Sequence, residues 1–390
     1  MLAPGTMLLT GAGRLAPAGI SPWAIQVRDG RIAWIGARGE APSDERVIDL
    51  GSALVTPGLV DSHTHPVFAG DRSDEAAARL EGAPYTGGGI LRTVAATRAT
   101  DDASLEALCE ARLRAALAAG TTTVECKSGY GLSLDEELRH LRIIRRVAER
   151  LPLQVVATFL GAHAVPEGTA AADHAALVAD EMIPAVATEG LAEFVDVFAD
   201  AGFFDLADTE RIGRAAITAG LGLRLHAEQL ARTGAAELGV RLGAASVDHL
   251  EQLDAEGVAV IAASDTVATV LPAPAVVLRD RMPPARALLD AGASVALASD
   301  ANAGTFSGFG AMPLVIGLGA TLLGMTANEA LTAATSGGAR ALRRPELGVL
   351  EVGAVADLVA WDAEHEGAFA LRLGAVKPLR IWISGEEIGR

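Results

Sequence analysis

The amino-acid sequence predicts an α/β fold, a (β/α)8 TIM-type barrel that carries a small β-sandwich domain built from both chain termini. Three observations lead to this prediction. Eight short apolar, strand-like runs alternate with helical patterns through the middle of the chain. Nearly every run ends in a polar residue, as expected where the strands of a barrel open into an active site. All four tryptophans lie near the two ends of the chain.

The two terminal segments have the pattern of short strands. Residues 24–28 and 31–36 alternate between apolar and polar side chains around an Asp29-Gly30 turn, which predicts a β-hairpin. Residues 357–361 and 379–383 have the same character near the other end. The sequence therefore predicts strands at both termini.

The tryptophans indicate that these terminal strands form one domain. They are Trp23, Trp34, Trp361 and Trp382. Because a tryptophan buries a large apolar area, we expect the two ends to pack around a shared core. The predicted small domain comprises residues 1–57 plus 350–390, and the predicted barrel comprises residues 58–349. Two independent flaps are the alternative.

The eight apolar runs predict the barrel strands. They cover residues 59–61, 121–126, 153–159, 194–198, 223–225, 245–247, 266–271 and 294–297. Helical patterns separate most of them; Leu105, Cys109 and Leu113, for example, recur at helical spacing. Capping boxes are expected at Ser133 and Thr326. A doubly wound open sheet is the alternative, and the polar residues at the strand ends favour the barrel.

Composition excludes several classes of partner. Half of the 390 residues are apolar and the formal net charge is -17. No nucleic-acid or membrane partner is expected, since either would need a basic face that the charge does not supply. Cys109 and Cys126 form no disulfide framework, and the first residues lack a secretory pattern. A cytoplasmic protein that acts on a small molecule is therefore expected.

Histidines mark the predicted strand ends. They are His63 and His65 after strand 1, His163 after strand 3, His226 after strand 5 and His249 after strand 6. Because residues two apart on a strand point to the same side, the His-Thr-His segment predicts two imidazoles that face one metal ion. The remaining histidines are expected on the solvated surface; these are His140, His174 and His365.

Three of these histidines and one aspartate form a candidate metal site. The ligands are His63, His65, His226 and Asp300. Nitrogen and oxygen ligands without thiolate suit zinc, and iron or manganese also fit. We expect Asp300 both to bind the metal and to take a proton from an attacking water, and His249 to act as a base or to polarise a substrate carbonyl.

A second metal is not expected. Residues 194–200 contain no lysine, whereas two-metal barrels of this kind need a bridging lysine or glutamate at strand 4. Lys127, which follows strand 2, is interpreted as a pairing or substrate residue.

Several segments resemble the amidohydrolase superfamily, and the resemblance covers nearly the whole chain. The general signal is the Pro-Gly-Leu-Val-Asp-x-His-x-His pattern of residues 57–65, with the later histidines and the aspartate. Narrower segments are similar to the members that open the imidazolone ring in histidine degradation. These segments are residues 68–72, 81–85, 87–90, 97–98, 125–131, 158–164 and 226–230.

The resemblance implies hydrolysis of the ring amide of 4-imidazolone-5-propanoate to N-formimidoyl-L-glutamate. It implies one divalent or trivalent transition metal, zinc or iron, in each subunit of a homodimer. Substrate binding is assigned by position to Arg72, Tyr85, Tyr130, His163, Gln229, Asn302, Gly304 and Thr305. The chemistry of Arg72 agrees with this assignment, since a guanidinium offers a planar fork to a carboxylate.

Residue 229 bears on the choice of reaction. Related deaminases carry a glutamate three residues after the strand-5 histidine as a proton shuttle, whereas this chain has Gln229 there. Glutamine cannot shuttle a proton. Ring-amide hydrolysis is therefore favoured, with Glu228 as a candidate catalytic substitute. The alternatives are another cyclic amidase or aminohydrolase of the superfamily that acts on a heterocycle, and a metal-free scaffold protein.

Overall fold

Eight parallel strands form a single sheet in the computed structural model, which describes residues 6–44, 46–83 and 88–389. Each strand pairs with its neighbours in sequence order. The strands are Leu59–Asp61, Thr121–Lys127, Gln154–Ala162, Phe194–Ala199, Gly222–Ala227, Ser246–His249, Val267–Val270 and Val295–Leu297. All eight predicted strands are therefore present, and we number them 1 to 8 in this order.

Contacts just beyond the ends of strands 8 and 1 close the sheet into a barrel. Thr64 and Ala301 form a parallel bridge. The His65 N–H donates to the Ala301 carbonyl at 2.9 Å, and the Asp300 N–H donates to the His63 carbonyl at 3.0 Å. These bonds confirm the barrel, and the open-sheet alternative is wrong. They also hold the ends of strands 1 and 8 side by side.

Helices separate the strands along the chain. The α-helices are Ser73–Leu80, Gly89–Arg98, Asp102–Ala118, Leu134–Ala148, Ala171–Leu177, Ile183–Glu189, Leu206–Thr218, Ala235–Arg241, Ala255–Ala262, Pro272–Leu278, Ala285–Asp290, Met312–Leu322, Ala327–Thr332, Gly338–Ala341 and Ala368–Leu371. Arg38–Glu40 is a 3-10 helix, and Val178–Met182 and Ala333–Gly337 are π-helical turns. The capping box at Thr326 is confirmed, whereas Ser133 makes no side-chain cap with the described residues. Within those residues, no helix is both long and apolar enough to cross a bilayer.

Both termini contribute strands to two further four-stranded sheets. The first contains Met7–Gly11, Trp23–Arg28, Arg31–Ala37 and Val47–Asp49, and the second contains Leu54–Pro57, Leu358–Trp361, Pro378–Ile383 and Glu386–Glu387. One hydrophobic cluster joins the two sheets, with Trp23 and Ile25 from the first and Leu358 and Trp382 from the second. The two ends of the chain therefore share a core. The boundaries at residues 57 and 350 stay a prediction.

Two histidines that were expected on the surface are buried instead. His140 lies on the inner face of the helix Leu134–Ala148, and His174 donates its Nε2–H to the Gly161 carbonyl at 2.9 Å. His365 is exposed. The prediction for His140 and His174 is wrong because each helix around the barrel buries the face that packs against its neighbours. A single polar residue on that face does not disturb the apolar pattern of the sequence.

Gly337 allows the turn Ala333–Gly337 to pack directly against strand 8. A Cβ atom on Gly337 would lie 2.3 Å from the Val295 carbonyl oxygen, which is fixed backbone. We expect Gly337→Ala to lower the free energy of unfolding by about 1–3 kcal/mol, the usual cost of overpacking. Gly39→Ala is the control, since nothing lies within 4 Å of its Cβ position. Equal denaturation midpoints for the two variants would contradict this prediction.

Burial of His140 makes the stability of the fold depend on pH. Burial, with the positive charges of Arg139 and Arg98, lowers the pKa of His140 to about 3, below the ordinary value of 6.5. Between these values the unfolded chain binds a proton that the folded chain does not, so acidification favours unfolding.

We expect His140→Leu to lose less stability than the unmodified protein between pH 6.5 and 4. The difference should grow by up to about 1.4 kcal/mol per pH unit, measured by denaturant unfolding. Leu141→Met, a neighbouring buried change without a titratable group, should shift stability equally at each pH. If the free energy of unfolding falls equally with pH in His140→Leu and in the unmodified protein, burial of neutral His140 does not cause the pH dependence.

Candidate metal centre and active site

The carboxyl ends of three strands bring the four predicted ligands together. His63 and His65 follow strand 1, His226 lies near the end of strand 5, and Asp300 follows strand 8. All four side chains are buried. Thr64 is fixed to strand 2, because its hydroxyl donates to the Glu125 carbonyl at 2.6 Å. The histidines on either side of it are therefore held on rigid barrel elements.

Four of the six distances between the predicted ligand atoms are close to those around a tetrahedral metal ion. The Nε2 atom of His63 lies 3.1 Å from that of His226 and 3.3 Å from that of His65. Asp300 Oδ1 lies 3.4 Å from His65 Nε2 and 3.6 Å from His63 Nε2. Ligands at about 2.0–2.1 Å from zinc in a tetrahedron are themselves about 3.3 Å apart. The described residues contain two overlapping groups that could hold a metal ion, His63 with His65 and His226, and His63 with His249 and Asp300.

Carboxylates behind the histidines fix which nitrogen faces this site. His63 Nδ1 donates to Asp248 Oδ2 at 2.7 Å, and His226 Nδ1 lies 3.0 Å from Asp196 Oδ2. Burial and the charge of Lys127 hold the pKa of His63 well below its usual range. The two Nε2 lone pairs consequently face each other, an arrangement that a cation between them would stabilise. The site thus fits a metal ion.

His249 lies beside Asp300 at the candidate metal centre. His249 Nε2 is 4.0 Å from Asp300 Oδ2, and His249 Nδ1 is 3.4 Å from Glu251 Oε1. Burial opposes protonation of His249, but the carboxylates of Glu251, Asp300 and Asp248 raise its pKa to about 9. Burial also raises the pKa of Asp300, but the hydrogen bond from His65 and the charge of His249 outweigh it and lower the pKa to about 2.

The backbone turns sharply at three strand ends of the site. Glu228, His249 and Asp300 have φ values of 56°, 83° and 48°, in the left-handed region that residues with a Cβ atom rarely adopt. Such conformations persist where the surrounding structure imposes them, and they cluster at functional sites. Each turn breaks the alternation of the strand and directs the following side chains differently.

A pocket opens above the candidate metal centre. It encloses about 330 Å³ outside protein atoms, its mouth included. The lining residues are His65, Arg72, Ile90, Tyr130, His163, Phe198, His226, Gln229, His249, Asp300, Asn302 and Thr305. Most residues that were expected to bind substrate therefore surround one cavity.

Polar side chains of the pocket are held in fixed orientations. The Nε and Nη2 atoms of Arg72 donate to Glu75 Oε2 at 3.0 and 2.8 Å. His163 donates its Nδ1–H to the Gly129 carbonyl at 2.9 Å, which leaves Nε2 as the acceptor nitrogen of the neutral ring. Burial holds the pKa of His163 well below its usual range. Tyr130 lies beside it, with ring centroids 5.1 Å apart.

The loop after strand 8 is organised by Asn302. Its Oδ1 atom accepts from the N–H groups of Gly304 and Thr305 at 2.7 and 2.9 Å, and its Nδ2 donates to Thr305 Oγ1 at 2.6 Å. Gly304 contacts the guanidinium of Arg72 so closely that a Cβ atom would lie 2.1 Å from Nη1. The absence of a side chain at Gly304 therefore leaves room for the guanidinium of Arg72.

Glu228, an expected catalytic residue, does not line this pocket. The carboxylate of Glu228 is buried and accepts from the N–H groups of Thr233 and Gly234 at 2.8 and 2.9 Å. This contradicts its expected catalytic role, because both oxygens stabilise the following loop. Tyr85 lies outside the described residues.

Inside the barrel, the structure also brings together five charged residues, including Lys127, for which the sequence indicates a pairing or substrate role. They are Glu125, Lys127, Asp196, Arg224 and Asp248, and all are buried. The signal for them was present in the sequence as a charged residue within an apolar run, such as Asp196 in residues 194–198. Their mutual pairing joins distant segments and could not be inferred from that signal.

Comparison with known proteins assigns the class. The model of the amidohydrolase family matches residues 54–388. The chain therefore belongs to the amidohydrolase family, whose members are metal-dependent, and it is a hydrolase of that family. Its fold is similar to that of 5-methylcytosine deaminase from Klebsiella pneumoniae, with a TM-score of 0.79 at 17% identity, over 99% of this chain and 98% of that one.

More similar relatives define the group within the family. Imidazolonepropionase from Cupriavidus pinatubonensis is 46% identical over 363 residues, covering 90% of this chain and 86% of that protein. Imidazolonepropionase from Pseudomonas putida is 45% identical over 376 residues, covering 94% of both chains. Within the amidohydrolase family, the chain belongs with the relatives named imidazolonepropionase.

Proposed function

We propose that this chain hydrolyses the ring amide of 4-imidazolone-5-propanoate to N-formimidoyl-L-glutamate. The observation that carries the proposal is the sequence identity of 43–46% between this chain and relatives named imidazolonepropionase, over at least nine-tenths of the chain. The polar pocket with a candidate metal centre at its base supports the same reaction. In that reaction the carbon–nitrogen bond of the ring breaks and water supplies the oxygen of a new carboxylate.

Four side chains are the proposed metal ligands, namely His63, His65, His226 and Asp300. When bound, zinc or iron would polarise the ring carbonyl and lower the pKa of the attacking water. Asp300 is also the proposed proton acceptor, because its carboxylate is ionised and its Oδ2 atom lies 4.0 Å from His249 Nε2. It takes the proton of the water and returns it to the ring nitrogen as that bond breaks. His249 stabilises the negative charge that grows on the carbonyl oxygen.

The remaining pocket residues orient the substrate. Arg72 binds the propanoate carboxylate through Nη1, since its other edge is occupied by Glu75. His163 offers an acceptor nitrogen to a ring N–H, and Tyr130 covers the same side of the pocket. Asn302, Gly304 and Thr305 hold the loop beside Arg72.

Gln229 favours ring opening over removal of an exocyclic amine. It lines the pocket at the position where related deaminases carry a glutamate. An amide cannot act as a general acid or base near neutral pH, but it can bind the substrate through hydrogen bonds. Removal of an amine from a heterocycle is the second candidate reaction, and Gln229 argues against it.

Two further properties are proposed, the oligomeric state and the cellular location. The resemblance to the superfamily supports a homodimer, and light scattering that gives the mass of one chain would contradict it. A cytoplasmic location is supported by Cys109 and Cys126, which are both buried as free thiols.

The test is hydrolysis of freshly generated 4-imidazolone-5-propanoate, followed by the loss of its ultraviolet absorption with and without a chelator. We expect chelator-sensitive loss, recovery on adding zinc or iron, and N-formimidoyl-L-glutamate as the product. Ammonia release from an aminated heterocycle without turnover of the imidazolone would favour the aminohydrolase. Undiminished turnover in metal-free protein would exclude the metal-dependent reaction.

A further inference from the structure

A cluster of five charged residues fills the barrel directly beneath the candidate metal centre. We call Glu125, Lys127, Asp196, Arg224 and Asp248 the interior charge cluster. Each is at most 1% exposed. A buried charge is costly unless it is paired and hydrogen-bonded, so a group of five needs a compensating arrangement. The arrangement consists of two rows that each run from a cation through a carboxylate to a histidine.

The first row joins Lys127 to His226. Lys127 Nζ lies 2.7 Å from Asp196 Oδ2, and the same oxygen lies 3.0 Å from His226 Nδ1. Lys127 Nζ also donates to Glu125 Oε1 at 2.6 Å. The other Asp196 oxygen accepts from the backbone N–H of His226 at 3.2 Å. Asp196 therefore binds the backbone of His226 and lies within ion-pair distance of its ring.

The second row joins Arg224 to His63. Arg224 Nη2 donates to Asp248 Oδ2 at 2.9 Å, and that oxygen accepts from His63 Nδ1 at 2.7 Å. The guanidinium is fixed by two backbone carbonyls, those of Ser62 at 2.7 Å and Ala341 at 2.8 Å. The position of Asp248 is thus tied to strands 1 and 5 and to the helix Gly338–Ala341.

His65 differs from the other two imidazoles. Its Nδ1 atom has no hydrogen-bond partner among the described residues. Instead its ring stacks on His163, with centroids 5.1 Å apart and an angle of 21° between the planes. A carboxylate oxygen thus lies within 3.0 Å of Nδ1 in His63 and His226, and of these two contacts the one at His63 has the geometry of a hydrogen bond.

We propose that Asp196 and Asp248 are positioning residues that orient His226 and His63 towards the metal, and that Lys127 and Arg224 hold these carboxylates in place. A carboxylate that accepts Nδ1–H fixes the tautomer with Nε2 unprotonated and raises the basicity of that nitrogen. The metal affinity of the site is consequently set from inside the barrel, on the side away from the substrate. The inference rests on the proposed metal ligands.

The test compares the zinc affinity of Asp248→Asn and Asp196→Asn with that of the unmodified protein, by competition with a chromogenic chelator and without substrate. Asparagine keeps the shape of the side chain and removes its charge. We expect each variant to bind zinc about 10- to 100-fold more weakly, the usual effect of removing such a partner. Thr269→Val is the control, since its buried hydroxyl in the paired strand 7 has no partner among the described residues.

Cobalt substitution provides a second measurement, namely the visible spectrum of bound Co²⁺, which depends on ligand geometry. It should change in both aspartate variants and remain unchanged in Thr269→Val. Zinc affinities equal to the control in both folded variants would overturn the proposal. No zinc binding by the unmodified protein would overturn the proposed metal site and, with it, this inference.

A measurement on the unmodified holoprotein applies even where a variant does not fold. With ¹⁵N-labelled histidine, His63 and His226 should each show a protonated Nδ1 and a metal-bound Nε2. Their Nδ1 protons should exchange slowly with solvent, since both rings are buried. A metal-bound Nδ1 in either residue would overturn the proposal.

Discussion

Asp300→Asn is expected to lower kcat by roughly 10²- to 10⁴-fold, the contribution of a well-placed general base. Asparagine keeps the volume of the side chain but can neither accept the proton of the attacking water nor return it. The fold should be retained, since the side chain lies at the carboxyl end of strand 8 rather than within the barrel wall.

The measurement must separate loss of the base from loss of the metal, because Asp300 is also a proposed ligand. Metal content and kcat are therefore determined on the same preparation, with zinc in excess. Asp173→Asn is a suitable control, as it alters an exposed carboxylate on the helix Ala171–Leu177 after strand 3. A metal-loaded Asp300→Asn protein with a rate within a few-fold of the control would remove Asp300 from the mechanism.

The barrel could be predicted because its signal is local. Each strand is a short apolar run, and the chain places a polar residue where that run ends. The histidines of residues 63–65 share one face by simple alternation. Because the carboxyl ends of all eight strands meet on one side, the order of the strands was enough to gather His226, His249 and Asp300 as well.

The roles of Glu228 and Gln229 show where local reasoning ends. Alternation from His226 would direct Glu228 into the site, but the left-handed turn at Glu228 breaks that alternation. Gln229 consequently lines the pocket, and Glu228 binds the loop of residues 233–236. Nothing in the residue type reveals the turn, because glutamate has no preference for this conformation.

The interior charge cluster lies beyond local reasoning for a different reason. His63 and Asp248 are 185 positions apart in sequence, yet they are joined by a 2.7 Å hydrogen bond. A single charged residue in an apolar run indicates only that a partner is needed. The identity of the partner depends on which strands are neighbours and on their register.

Arg72→Lys is expected to raise KM by about 10- to 100-fold while changing kcat far less. Hydrogen bonds to charged groups contribute about 1.5–3 kcal/mol, and lysine cannot donate to the substrate from one edge and to Glu75 from another as the guanidinium does. Lysine would also lose the two bonds that Nε and Nη2 now donate to Glu75, so its ammonium would not be held towards the pocket. Initial rates over a range of substrate concentrations provide both constants.

Gly304→Ala tests the same contact without altering the arginine. Its Cβ atom would lie 2.1 Å from Arg72 Nη1 and 2.3 Å from Cζ, so the guanidinium must move. Because the clash is with the end of a flexible side chain, the fold should tolerate it, and KM should rise as in Arg72→Lys. Gly39→Ala, in open space, should leave KM unchanged. If Arg72→Lys and Gly304→Ala both keep the original KM, Arg72 does not bind the substrate carboxylate.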